Sequence, residues 1–319
     1  LMNITVIGCG RWGSLIAWYL DRMGHAVTLY GRAGSARMQR FLTQRCNDLL
    51  TLPPSVALST DPACALTAEA VVISIPSQQL AGLTCQLAEL GLQGVPVVLC
   101  MKGLETGTGR RLSQVAGQAL GPSCPIAVWL GPGHVQEFYA GIPNCMVIDS
   151  EDAAVKQRLV QAFSSDLIRF YIGQDLLGNE IGAAAKNVVG IAAGMLDGLQ
   201  LSTLKGALMS RGTREIARLI AAMGGNELSA YGLCHLGDYE ATVFSRFSHN
   251  RRFGEAVVRG EPYTELAEGY HTVPALVMLG ERYGVELPIC TAIHRVLYQN
   301  GDPHAELNRL FQRSVKNEF

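Results

Sequence analysis

The sequence lacks the spacings that hold metals or define disulfide frameworks. Its nine cysteines include no Cys-x-x-Cys pair, and its seven histidines include no His-Glu-x-x-His pair. Such spacings are the usual signatures of zinc sites and of redox-active thiols. We therefore expect buried thiols and no metal cofactor.

The sequence also lacks an excess of charge of either sign and lacks long hydrophobic runs. The 319 residues carry 26 basic and 27 acidic side chains, a net charge of −1, and no apolar run approaches the length that spans a bilayer. A near-neutral chain is a poor partner for nucleic acid or for an anionic membrane surface. The first residues enter a strand-like run without a basic leader, so we expect a cytoplasmic protein with no membrane span.

Hydrophobic residues make up 48% of the chain and charged residues 17%, which excludes disorder. To about residue 175, short β-branched runs alternate with helical stretches, the pattern of a parallel sheet covered on both faces. Beyond that point the strand signal stops and helical periodicity dominates. The sequence predicts an α/β chain with a doubly wound, mainly parallel Rossmann domain (1–175) and a helical domain (176–319) for substrate binding and dimerisation.

A glycine motif follows the first predicted strand and opens a helix. In Gly8-Cys9-Gly10-Arg11-Trp12-Gly13, the first glycine permits a tight turn and the last permits close packing of helix on strand. Gly10 lets the backbone approach a pyrophosphate, which the helix N-terminus also attracts. The motif predicts a dinucleotide site.

The residue that would select NAD is absent. An acidic residue at the end of the second strand usually binds the ribose 2′-hydroxyl, whereas Leu29-Tyr30 is followed here by Gly31-Arg32. Arg32 can donate two hydrogen bonds to a 2′-phosphate, so we expect NADP or NAD, with NADP tolerated or preferred. A solvent-exposed loop role for Arg32 remains the alternative.

Lysine is scarce, with five residues against 21 arginines, and two of the five lie in apolar surroundings. Lys102 ends the run Val97-Val-Leu-Cys-Met101, where open α/β sheets bind ligands. Lys186 lies in a helix of small apolar residues, where desolvation suits a lysine to acid/base work near pH 7. It needs a carboxylate partner, for which Asp238 is our candidate. A structural ion pair is the alternative for Lys186, and a solvated strand end for Lys102.

Donor groups also concentrate in Ser248-His249-Asn250-Arg251-Arg252-Phe253-Gly254. This segment is predicted to be a loop that could bind a phosphate or a carboxylate. A solvated surface turn is the alternative.

Together these segments resemble the bacterial NAD(P)-dependent glycerol-3-phosphate dehydrogenase family along nearly the whole chain. The resemblance rests on the glycine motif, Tyr30-Gly-Arg32, Ile75-Pro-Ser77, Met101-Lys-Gly-Leu-Glu105, Gly131-Pro132, Ala185-Lys-Asn-Val188, Leu236-Gly-Asp238, Asn250-Arg-Arg-Phe-Gly254 and Glu268-Gly269. It implies a helical domain of the 6-phosphogluconate-dehydrogenase type and a homodimer. It also implies reversible reduction of dihydroxyacetone phosphate to sn-glycerol 3-phosphate, which supplies glycerophospholipid synthesis.

The resemblance also assigns residues to roles. Lys186 would be the catalytic lysine, assisted by Lys102 and Asp238. Cofactor positions would be Gly8, Gly10, Arg11, Trp12, Gly13, Arg32, Lys102, Val135 and Glu268. Substrate positions would be Lys102, Gly131, Gly133, Lys186, Asn187, Asp238, Ser248, His249 and Asn250.

Three departures from the family pattern concern the substrate. The Ser-Gly-Pro-Ser run is here Leu130-Gly-Pro-Gly133, His134 replaces an aromatic residue, and His249 replaces an arginine that would contact phosphate. Two alternatives stay open: a reductase of another small 2-keto substrate, similar to ketopantoate reductase, and a non-catalytic NADP-binding sensor.

Overall fold

The structure is a computed structural model that describes residues 1–318. The chain forms two compact units, the first of Leu1–Lys102 and Arg110–Glu180, the second of Gly103–Gly109 and the residues from Ile181 onward. Residues 103–109 belong to the second unit because the Thr106 hydroxyl donates to the His271 carbonyl (3.1 Å) and Gly109 lies against Leu279. The sequence prediction divided the chain at residue 175 and kept 103–109 in the first domain.

The first unit contains a sheet of eight strands among the described residues. They are β1 (Asn3–Ile7), β2 (Ala26–Tyr30), β3 (Ala57–Ser59), β4 (Ala70–Ile73), β5 (Val97–Leu99), β6 (Ile126–Leu130), β7 (Asn144–Ser150) and β8 (Ile168–Ile172). Their order is β3-β2-β1-β4-β5-β6-β7-β8, and every pair is parallel except β6 with β7. The predicted mainly parallel, doubly wound sheet is confirmed.

The strand order reverses direction at β1, which is where such sheets bind ligands. Ile7 is paired both with Tyr30 of β2 and with Ile73 of β4, so the three strands end level. The turns that follow these strands therefore lie along one edge. The helices of this unit are α1 (Arg11–Arg22), α2 (Ala36–Gln44), α3 (Leu80–Glu89), α4 (Leu112–Leu120), α5 (Val135–Tyr139) and α6 (Ala153–Phe163).

Helix α7 (Leu176–Gly198) begins in the first unit and becomes the central helix of the second. It is buried on all faces from Ile181 to Leu196, which its small apolar residues permit. The helices that follow are α8 (Lys205–Ala222), α9 (His249–Arg259), α10 (Glu268–Tyr283), α11 (Pro288–Tyr298) and α12 (Pro303–Phe311). Across the described part of the chain, no helix combines the length and hydrophobicity needed to cross a bilayer.

The predicted loop at residues 248–254 is wrong. Ser248 caps α9 by accepting a hydrogen bond from the backbone N–H of Arg251 (3.2 Å), and the following residues form the first two turns of this helix. The donor-rich composition favoured a loop, although serine is also a preferred N-cap residue of helices. Strand β3, with three residues, and helices α2 and α12, with nine each, were also missed.

Candidate active site

Two glycines of the first motif are required by packing. Gly8 has φ +113°, and a Cβ there would lie 2.0 Å from the Ser74 carbonyl oxygen. A Cβ on Gly13 would lie 1.7 Å from the Gly8 carbonyl oxygen. These contacts hold α1 tightly against the ends of β1 and β4, as the motif predicts.

Gly10 is different, because nothing in the protein requires it to be glycine. The nearest heavy atom to a Cβ built there is Arg37 Nη1, at 3.9 Å, and φ is −76°. A side chain would therefore fit sterically but would cover the backbone of the turn. Helix α1 starts at the next residue with no acid in its first turn, so its N–H groups attract anions. These features fit a dinucleotide pyrophosphate.

The first unit also contains the predicted cofactor residues Trp12, Arg32 and Val135. Arg32 is exposed directly after β2. The Trp12 ring packs edge-on against Phe138 of α5, with ring centroids 6.0 Å apart. Val135, the first residue of α5, is buried.

Lys102 follows β5 and links it to the end of β6. Its Nζ donates a hydrogen bond to the Gly131 carbonyl (2.9 Å), which keeps the ammonium group at the carboxyl edge of the sheet. Gly133 has φ +141°, and a Cβ there would lie 2.2 Å from Phe138 Cε2. A serine at position 133 would therefore be strained, so the geometry of this turn requires glycine in place of the hydroxyl-bearing residue.

In the second unit, Lys186 forms the predicted ion pair. Its Nζ lies 2.7 Å from Asp238 Oδ2 and donates to Thr242 Oγ1 (2.8 Å). The Thr242 hydroxyl in turn donates to the Asp238 carbonyl (2.8 Å). The Lys186 side chain is 9% exposed and that of Asp238 1% exposed, so both charges are largely desolvated and depend on each other.

Asn250 joins three helices through amide hydrogen bonds, one of them to Asn187, the residue after Lys186. Asn250 of α9 donates from Nδ2 to Asn187 Oδ1 (3.1 Å), and its Oδ1 accepts from the backbone N–H of Gly269 in α10 (2.9 Å). The structure thus brings together Lys186, Asn187, Asp238 and Asn250, four of the residues that the resemblance assigns to the substrate. Glu268 is partly buried at the start of α10 in the same unit.

His249 has a protein partner that the sequence did not indicate. Its Nδ1 lies 2.5 Å from Glu265 Oε2 and 3.0 Å from the Tyr263 hydroxyl. Nearby, Arg251 donates to Asp197 Oδ2 (2.8 Å) and to the Ser245 carbonyl (3.1 Å), which marks it as structural.

Sequence reasoning also missed Thr242 and His235, both fully buried beside the lysine pair. Burial lowers the pKa of the His235 imidazole from 6.5 to about 4, so this ring is neutral at pH 7. Its Nδ1 donates to the Gly182 carbonyl (2.8 Å), which leaves Nε2 to accept from the Tyr239 hydroxyl (2.7 Å). The only signal for Thr242 was its position four residues after Asp238, one helical turn away.

Comparison with known proteins decides the family. Residues 3–156 match the model of the NAD-dependent glycerol-3-phosphate dehydrogenase N-terminus, and residues 175–308 match the model of its C-terminus. The chain belongs to this family. A relative from Desulfitobacterium hafniense (strain Y51), named glycerol-3-phosphate dehydrogenase (NAD(P)+), is 36% identical over 332 residues, covering 100% of this chain and 94% of the relative. The predicted family is confirmed.

Solved structures agree with this assignment. The glycerol-3-phosphate dehydrogenase of Coxiella burnetii superposes with a TM-score of 0.90 at 27% identity, covering 98% of this chain and 99% of that one. A ketopantoate reductase from Ralstonia eutropha gives a TM-score of 0.64 at 15% identity, covering 96% and 100%. The second likeness shows the shared fold alone, so the ketopantoate-reductase alternative is not favoured.

Proposed function

We propose that this glycerol-3-phosphate dehydrogenase family member catalyses the reversible reduction of dihydroxyacetone phosphate to sn-glycerol 3-phosphate. The observation that carries the proposal is the buried ammonium of Lys186, held by Asp238 and Thr242 in a chain that matches the family at both ends. The cofactor, NADPH or NADH, supplies the hydride to the carbonyl carbon when it is bound.

Lys186 is the proton donor in this proposal. Reduction places negative charge on the carbonyl oxygen, and an ammonium group within hydrogen-bonding distance can transfer a proton to it. In the reverse direction the neutral amine of Lys186 accepts the hydroxyl proton. Asp238 and Thr242 fix the position of Nζ at the end of the Lys186 side chain.

Other polar side chains in each unit supply groups that can bind anions or hydroxyl groups. In the first unit, the Lys102 ammonium at the carboxyl end of β5 attracts anions, and its bond to Gly131 limits its motion. In the second unit, the side chains of Asn187, Asn250 and His249 offer hydrogen-bonding groups suited to hydroxyl and phosphate oxygens. The Ser248 hydroxyl accepts the capping hydrogen bond of α9, and its proton can still be donated to a substrate oxygen.

Turnover with a panel of small ketones tests the proposal. We expect oxidation of NADPH with dihydroxyacetone phosphate and little with ketopantoate or unphosphorylated dihydroxyacetone. A reductase of another 2-keto substrate would reverse this preference. A non-catalytic sensor would bind NADPH without oxidising it in the presence of any ketone.

Three further features belong to the proposal. The enzyme is a homodimer, acts in the cytoplasm, and supplies glycerol 3-phosphate for glycerophospholipid synthesis. Light scattering after gel filtration tests the dimer, since it should give twice the chain mass of 34.3 kDa. Cell fractionation tests the location, and depletion of the protein should lower the cellular pool of glycerol 3-phosphate.

A further inference from the structure

The segment from Gly31 to Arg37, here called the turn, links β2 to the first turn of α2 and carries two arginines without a protein counter-charge. Among residues 1–318, the side chains of Arg32 and Arg37 make no hydrogen bond or ion pair with the protein. Other arginines of the same helix are engaged, since Arg40 Nη1 lies 2.7 Å from Asp48 Oδ1 and Arg45 donates to two carbonyl groups at 2.6 Å. No Asp or Glu occurs between residues 31 and 47. The turn is therefore a site of uncompensated positive charge.

Packing brings this turn against the glycine motif. A Cβ on Gly31 would lie 2.7 Å from Met38 Sδ and 2.8 Å from Cys9 Sγ, so only glycine permits the approach. Ser35, the N-cap of α2, has its Oγ 3.9 Å from the same Cys9 sulfur. The first turn of α2 is thus held close to residues 8–10.

Arg37 belongs to that first turn, and its guanidinium reaches the glycine motif. Its Nη1 is the nearest heavy atom to a Cβ built on Gly10, at 3.9 Å. Gly10 is the position at which the backbone is left open for a dinucleotide. In doubly wound folds the adenosine ribose lies between this glycine and the end of the second strand. The Arg37 guanidinium lies beside Gly10 and belongs to the segment that follows β2, so it lies in the part of the fold that binds the ribose.

We propose that Arg37 is a second ligand for the 2′-phosphate of NADP, acting together with Arg32. A ribose 2′-phosphate is close to a dianion at neutral pH, and two guanidinium groups can each donate a pair of hydrogen bonds to it. NAD carries only a neutral hydroxyl at the ribose 2′ position, so it offers the guanidinium groups no negative charge to pair with. This inference rests on the dinucleotide site of the proposed function and makes Arg37 a determinant of NADP over NAD.

The test compares two nucleotides that differ only in the 2′-phosphate. Isothermal titration gives the dissociation constants of adenosine 2′,5′-bisphosphate and of adenosine 5′-phosphate for the wild type, Arg37→Gln, Arg32→Gln and the double variant. Arg40→Gln is the matched control, because it removes an arginine of the same helix that pairs with Asp48. The ratio of kcat/KM for NADPH and NADH is measured on the same proteins.

We expect Arg37→Gln to weaken the bisphosphate about tenfold, the size of one charge-assisted contact, and to change the monophosphate less than twofold. Arg40→Gln should change neither, and the kinetic ratio should follow the binding ratio. Equal loss for both nucleotides, no loss, or an equal loss in Arg40→Gln would overturn the inference. Because titration needs no turnover, absence of activity with dihydroxyacetone phosphate would refute the proposed function and leave this inference standing.

Discussion

Lys186 Nζ lies 2.7 Å from Asp238 Oδ2, although 52 residues separate them in the chain. Lys186 comes from the buried central helix α7, and Asp238 from a short helical turn before α9. Removing either partner would leave a buried charge uncompensated. Variants of this pair must therefore be checked for folding before their activity is interpreted.

Replacing Lys186 by methionine should abolish the proton donor while keeping the volume of the side chain. We expect kcat to fall by about 10²- to 10⁴-fold, the usual scale for loss of a general acid, with NADPH binding retained. Steady-state kinetics and titration of NADPH measure the two effects. Lys205→Met is the control, because Lys205 is also buried and paired with an aspartate, Asp197, at 2.6 Å. Near-normal turnover by folded Lys186→Met would remove this lysine from the mechanism.

Thr242 should act by positioning Nζ of Lys186. Thr242→Val keeps the shape but removes the hydroxyl that accepts from Lys186 and donates to the Asp238 carbonyl. We expect kcat to fall about tenfold with KM little changed, and the pH profile of kcat to shift because the ammonium loses a partner. Thr84→Val removes another buried hydroxyl, one bonded to the carbonyl of Leu80, and should leave the profile unchanged. A merely structural role for Thr242 would lower stability without moving the profile.

His249 offers a way to test whether the substrate carries phosphate. An arginine at this position could donate two hydrogen bonds to a phosphate, but Glu265, 2.5 Å from His249 Nδ1, would compete for it. We therefore compare His249→Arg with and without Glu265→Gln. The double variant should lower KM for dihydroxyacetone phosphate about fivefold relative to Glu265→Gln alone.

Inorganic phosphate supplies the complementary measurement. It should compete with dihydroxyacetone phosphate in the wild type, and more strongly in the double variant. If phosphate does not compete and the arginine lowers activity, position 249 belongs to a site for an unphosphorylated ketone.

Glu215 should make stability depend on pH. Burial raises the pKa of its carboxyl from 4.5 to about 7, partly opposed by hydrogen bonds from the backbone N–H groups of Cys290 and Ile289 at the start of α11. Between pH 4.5 and about 7, the Glu215 carboxyl is ionised in the unfolded chain but stays protonated in the folded protein. The stabilisation of the folded state by the raised pKa is complete below pH 4.5 and is lost as pH rises through 7. The change in the free energy of unfolding is up to about 3 kcal/mol.

Urea unfolding of wild type and Glu215→Gln at several pH values checks this. The glutamine loses one hydrogen-bond acceptor, a cost that does not depend on pH, so the difference between the two proteins should shrink steadily from pH 5 to 8. A difference that stays constant over this range would mean that Glu215 ionises normally in the folded state.

The cofactor motif and the lysine were predictable because each rests on a local rule. A strand, a glycine turn and a helix follow one another within the first 13 residues, and the backbone geometry of that unit is encoded by neighbouring residues. The buried setting of Lys186 is equally visible, since nearly every residue around it is small and apolar. A buried lysine needs a carboxylate, and Asp197 was excluded because it lies too far along the same helix. Asp238 was then only a candidate, which the family resemblance supported.

The sequence by itself therefore determined the alternation of strands and helices, the glycine turn and the identity of the catalytic candidates. The tertiary structure decided which distant side chains meet: Thr242 with Lys186, Glu265 with His249, and Arg37 with the turn at Gly10. It also decided that residues 248–254 begin a helix. The physical reason is that hydrophobic periodicity and turn chemistry act over a few residues. Contacts between side chains depend instead on how whole helices and strands pack, which no local pattern records.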